Sequence, residues 1–155
     1  MVKEKTHYNE ISVVSVRLER VKGLRIAEEA INTAEIAKAL FQKQIGTMDK
    51  EVFAMVCLDT KGRITHYSEV HVGSLNQAVI HPREIYKIAI LSNANAILIG
   101  HNHPSGDLMP SESDKHITKT LIKVGKLLDI KLLDHIIVSD DGALSMRQAG
   151  SVLFD

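Results

Sequence analysis

The chain reads as one α/β (α+β) domain with a central mixed β-sheet flanked by helices. Two observations carry that expectation. First, 155 residues at 45% hydrophobic are about one domain's worth of chain with enough apolar side chains for a single core. Second, strand-length apolar runs alternate with helical periodicity along the chain, without repeats, low-complexity tracts or linkers to divide it.

Residues 12–20 roughly alternate apolar and polar side chains, the pattern of a half-buried strand. Asn32-Thr33 offers a cap for a helix that carries Ile36, Ala37, Leu40 and Phe41 at helical spacing, runs to about Ile45 and ends at Gly46. Val52 to Asp59 is a dense apolar run of strand length. Thr60-Lys61-Gly62 then turns the chain into a second strand, Arg63 to about Val72, making a hairpin. Pro82 opens a helix that runs from Arg83 to about Ala94. Ala96–Gly100 is a continuous apolar run suited to a buried strand, and His101 to Asp107 reads as a loop. Ser111 to about Asp129 is strongly periodic, with Ile117, Leu121, Val124 and Leu128 on one face. Ile130 to Ser139 is a further strand, Asp140-Asp141-Gly142 a turn, and Ala143 to Met146 a short edge strand.

Composition excludes several functions. Nineteen Lys and Arg balance nineteen Asp and Glu. The balance holds along the chain, at nine basic against seven acidic residues in 1–50, four against four in 51–100, and six against eight in 101–155. Tight binding to nucleic acid or an anionic membrane needs a basic surplus, and there is none. One cysteine, Cys57, excludes an intramolecular disulfide and points to a reducing compartment. The polar start at 1–7 is unlike a secretory signal, and no apolar run approaches the roughly 18 residues of a membrane span, so a cytoplasmic location is expected. Eight His outnumber the six Phe and Tyr, which directs attention to the histidines.

His101 and His103 stand i, i+2 at the end of a buried strand, so both imidazoles can share one face. Pro104 ends the strand and Gly106 lets the chain turn. Asp114, in the first turn of the next helix, returns a carboxylate over the same spot. Two imidazoles and one carboxylate leave a fourth tetrahedral position for water, the make-up of a catalytic zinc site. The bland alternative is a chance His-x-His, with Ser111 as a helix N-cap and Asp114 complementing the helix dipole.

His101-x-His103, seven residues, Ser111, two residues and Asp114 match H-x-H-x7-S-x2-D, the motif of the JAMM (MPN+/JAB) metalloproteases. With Val72–Asn76, His81–Glu84, His101–Asp107 and Leu133–Val138, the chain resembles the RadC family of bacterial JAB-domain proteins from about Ala30 to Ala143. It lacks room for the helix-hairpin-helix region common in RadC proteins and resembles the short, JAB-only members. The resemblance implies a JAB/MPN fold, akin to that of cytidine deaminases, with a curved mixed sheet between helices. It divides the chain into an N-terminal strand and extension over 1–30 and the JAB domain over 31–155. It also implies Zn2+ on His101, His103 and Asp114, with Glu51 as general acid/base toward the water and Ser111 as donor to the tetrahedral oxyanion. Without the motif, Glu51 is a solvated charge at a strand start.

The first functional reading is a zinc hydrolase of a peptide or isopeptide bond in a protein or peptide partner. The second is a non-catalytic or DNA-associated module, suggested by the family's link to DNA repair and mobile elements and unsupported by the charge. A zinc deaminase needs H-x-E and P-C-x-x-C, and neither is present. Apolar strand edges leave a homodimer open. His81 reads as a loop or capping residue, Arg83 as a surface ion-pair former or a substrate-carboxylate contact, His135 as hydrogen-bonded inside the fold, and Cys57 as a buried inert thiol.

Overall fold

Eight elements follow one another in the computed structural model, which describes residues 11–73 and 80–154. Helix α1 (Ala34–Ile45) begins where the Thr33 hydroxyl accepts the Ile36 N–H at 3.3 Å, and it buries Ala37, Leu40, Phe41 and Ile45 along one stripe. Strand β1 (Val52–Leu58) turns through Asp59–Gly62 into β2 (Ile64–Val72). The Asp59 carboxylate accepts the Lys61 and Arg63 N–H groups, and Gly62 takes the positive φ (+73°) that the turn demands. Helix α2 (Pro82–Leu91), strand β3 (Ala96–Asn102), helix α3 (Glu112–Leu128), strand β4 (Lys131–Val138) and strand β5 (Ala143–Ser145) complete the order.

The five strands form one mixed sheet in the order β2-β1-β3-β4-β5. Only β3 and β4 are parallel, and α3 is the crossover between them. Side-chain alternation divides the core into two layers. Ala54, Val56, Leu58, Leu98, Ile136 and Val138 meet α1 on one face. Phe53, Met55, Cys57, Ile97, Ile99 and Leu132 meet Ile85, Tyr86 and Ala89 of α2 and Leu121 of α3 on the other. Strands β1 and β3 are buried along their whole length, as a central position between two helical layers requires.

Two expectations need correction. Residues 12–20 form no strand, and Val13 is 97% exposed. Alternation there has no partner ladder; the chain first meets the sheet at Ala30, bridged to Arg63, with Ile31 N–H on the Gly62 carbonyl at 2.9 Å and Ile64 N–H on that of Glu29 at 2.8 Å. His101 and Asn102 are strand, not loop. β3 runs two residues past Gly100 because it pairs with both neighbours, Phe53↔His101 on one side and Asn102↔Val138 on the other. The polar start at 1–7 and positions 74–76 of the resemblance lie outside the described residues. Among the described residues no helix is long and apolar enough to cross a membrane.

Candidate metal centre

Strand parity puts His101 on the face that carries Ile97 and Ile99, where α3 packs. Because α3 joins parallel strands, its N-terminus returns to the carboxyl end of β3, where open α/β sheets place their sites. Gly100 lets the Phe41 ring close against the strand on the opposite face; a Cβ there would lie 2.5 Å from Phe41 Cδ1. His101, His103 and Asp114 converge as a result, with one ligand atom of each within 4.8 Å of the others. His101 Nε2 lies 2.9 Å from His103 Nε2 and 3.3 Å from Asp114 Oδ1, and His103 Nε2 lies 3.7 Å from Asp114 Oδ2. Ligands of a tetrahedral zinc stand roughly 3.3 Å apart, and His101 Nε2 already lies within a few tenths of an ångström of that spacing from both His103 Nε2 and Asp114 Oδ1.

Proton accounting supports the fit. His103 Nδ1 faces the Asp107 carbonyl at 2.5 Å. A carbonyl can only accept, so Nδ1 carries the proton and Nε2 of the neutral ring carries a lone pair. On Asp114, Oδ2 accepts from the Ser111 N–H (2.8 Å) and hydroxyl (2.6 Å), which leaves Oδ1 toward His101. The carboxylate side of the cluster is therefore built from acceptors facing one another, and a cation between them resolves the repulsion. Without a metal, a proton takes that place. The hydrogen bond to Asp114 raises the His103 pKa against the effect of burial, and the Asp107 carbonyl and the charges of Asp114 and Glu51 add to it. Burial works against the ionised Asp114, but the facing His101 and His103 imidazoles, one of them carrying the cluster's extra proton, outweigh it and hold its carboxyl far below the usual carboxylate range.

Ser111 holds the start of α3. It caps α3, accepting the Asp114 N–H at 3.1 Å, in a complete reciprocal box with Asp rather than the usual Glu at the third position. Its hydroxyl proton is committed to Asp114, so it buttresses the carboxylate. Glu51, half-buried, immediately precedes β1, and its charge acts on His103. Its carbonyl accepts the Gly73 N–H at 2.8 Å.

Two residues of this neighbourhood went unnoticed in the sequence, and a third was noticed but not connected to it. Asn102, fully buried, donates through Nδ2 to the carbonyls of Met48 (3.1 Å) and Lys50 (3.0 Å) and accepts the Val52 N–H at 2.6 Å. One amide thus straddles Glu51. His135 is hydrogen-bonded inside the fold, as expected, and its partner is His101 itself: Nε2 lies 2.8 Å from His101 Nδ1. Burial pushes its pKa well below the ordinary value, which favours the neutral ring. Thr118, the other unnoticed residue, touches His135 Nδ1 at 2.6 Å. The available signal was weak: a polar side chain inside an otherwise apolar strand or helix face. His81 and Arg83 are exposed at the start of α2, and His81 makes no side-chain cap. Cys57 is a buried thiol whose pKa burial raises, partly opposed by a hydrogen bond from Ser92. Beside His103 opens a cavity of about 410 Å³ lined in part by Met48, Asp49, Pro104, Ser105, Asp140 and Asp141.

Comparison with known proteins identifies the family. The family model of the RadC-like JAB domain matches residues 31–151. Similar curated proteins include a UPF0758 protein of Finegoldia magna, 43% identical over 138 residues, which is 88% of this chain and 62% of that protein. Others come from Caldanaerobacter subterraneus (37% over 126 residues; 81% of this chain, 54% of that one) and Chlorobaculum parvum (42% over 128 residues; 83% and 58%). The chain thus spans a little over half the length of these relatives, whose names assign no activity. It belongs to the RadC-like JAB domain family.

Proposed function

We propose that the protein is a zinc-dependent hydrolase of the JAMM type that cleaves a peptide or isopeptide bond. The observation that carries this reading is the convergence of His101, His103 and Asp114 at the end of β3, with hydrogen bonds already assigned to the far side of His103 and Asp114. His101 Nε2, His103 Nε2 and Asp114 Oδ1 would hold the ion. When bound, zinc lowers the pKa of a coordinated water to about 7 and polarises a carbonyl. Glu51, whose charge acts on His103, would take the proton of the attacking water and deliver it to the departing amine. Ser111 turns its hydroxyl from Asp114 Oδ2 to the oxyanion, and the Ser111 N–H keeps its bond to that oxygen. The cavity beside His103 gives the substrate chain room to approach. The neutral overall charge favours this reading over a DNA-associated module.

The test is a screen of peptide and isopeptide substrates with zinc-loaded wild type and Glu51→Gln. Cleavage by the wild type that drops by about 10²–10⁴-fold in Glu51→Gln is expected, the range for loss of a general acid/base. Equal cleavage by both proteins contradicts the mechanism.

A further inference from the structure

We infer that His135 is a positioning residue that sets the tautomer of His101, so that His101 presents a lone pair at Nε2 to the candidate metal site. The inference rests on the metal-site reading above for its purpose, but its geometry stands separately. The chain of contacts starts at Thr118, whose Oγ1 lies 2.6 Å from the Asp114 carbonyl, one turn back along α3. Two oxygens that close need a proton between them, and the carbonyl has none to give, so the hydroxyl donates to it. The same Oγ1 lies 2.6 Å from His135 Nδ1 and, its proton spent, accepts there. His135 Nδ1 is therefore protonated. In a neutral ring its Nε2 is then an acceptor, and the group it faces, 2.8 Å away, is His101 Nδ1. His101 in turn protonates Nδ1 and leaves Nε2 bare, 3.3 Å from Asp114 Oδ1.

The sequence of donors runs in one direction, from His101 through His135 and Thr118 to the backbone of Asp114. Both ends are candidate ligand residues, so the relay ties β3 and β4 to the first turn of α3. The fold fixes the rings as well. His101, His135 and Thr118 are all completely buried. Phe53 lies stacked with His101 (9° between planes) and edge-on to His135 (64°). A ligating histidine ordinarily donates its second N–H to a carboxylate, carbonyl or water, and loss of that partner weakens metal binding by about 10–100-fold. Here a neutral imidazole fills the role.

Two measurements test this. Long-range ¹H–¹⁵N NMR of the metal-free wild type reads the tautomers directly; protons on Nδ1 of both His101 and His135 are expected, and a proton on Nε2 of neutral His101 overturns the inference. Chelator competition then gives the zinc Kd of wild type, His135→Leu and His135→Gln, with each apo-protein's melting temperature as a check on folding. The Gln amide can accept from His101 and donate to Thr118. His135→Leu is expected to raise Kd about 10–100-fold and His135→Gln to restore most of the affinity. A folded His135→Leu that binds zinc like wild type refutes the role. Should His135→Leu not fold, the wild-type tautomers and His135→Gln decide. A wild type that binds no zinc but shows the expected tautomers sinks the metal reading and leaves the relay standing.

Discussion

At the scale of single residues, the chemistry turns on which atoms hold protons. Asp114 and His103 make opposite demands on pH. The His103 pKa is raised above its unfolded value near 6.5, so the stability it contributes is full below that value and fades as pH rises through the raised one. The Asp114 pKa is depressed, so its contribution is full above about 3.8 and is lost as pH falls below it. His135 has the reverse sign to His103: buried neutral, with its pKa lowered, it costs stability once pH drops below about 6.5 and the unfolded chain takes up a proton. The wild-type profile mixes these effects, whereas a comparison isolates the pair. In metal-free protein, the melting temperature of wild type minus that of Asp114→Asn is expected to narrow as pH rises from 6 to 8. A difference constant over that range contradicts the His103–Asp114 pairing.

At the scale of elements, the helices and hairpin were readable in the sequence because their signals are local. Thr33 caps α1, Ser111 caps α3 and Gly62 closes the turn, each within a few residues of its effect. Helix α3 begins and ends where its periodicity says. The end of β3 was not readable: Pro104 and Gly106 suggested a loop from His101, and only pairing with β1 and β4 shows strand through Asn102. The strand expected over 12–20 failed for the same reason, since alternation describes side chains and a ladder needs a partner. The three-residue triad was visible as spacing, but Asn102, His135 and Thr118 act across 17 to 54 positions of chain, which no local pattern records. Asn102 carries a prediction here. Asn102→Ala removes three hydrogen bonds around Glu51 and strands the buried Val52 N–H, at a cost of about 1–3 kcal/mol. Urea unfolding measures this, and a variant as stable as wild type would show that the staple carries no energy.

At the scale of the whole molecule, helices cover both faces of the sheet while the site sits at one end of it, where β3 and α3 meet. Residues 11–21 are exposed throughout, and the first apolar side chains to pack on the core from this side are Ile26 and Ile31. Replacing the exposed Val13, Val14, Val16 and Val21 by Thr is therefore expected to change unfolding stability by no more than about 0.5 kcal/mol, the scale of surface changes, and to leave metal binding intact. A large loss would place these residues in the folded body. The central claim is that the triad holds a metal ion, and metal content by mass spectrometry tests it most directly. Untagged wild type and His103→Ala are purified alike and exposed to zinc. About one zinc per chain in the wild type, lost from a folded His103→Ala, is the expected result. A wild type that stays empty after zinc is added contradicts the claim, and the function then lies in binding rather than hydrolysis.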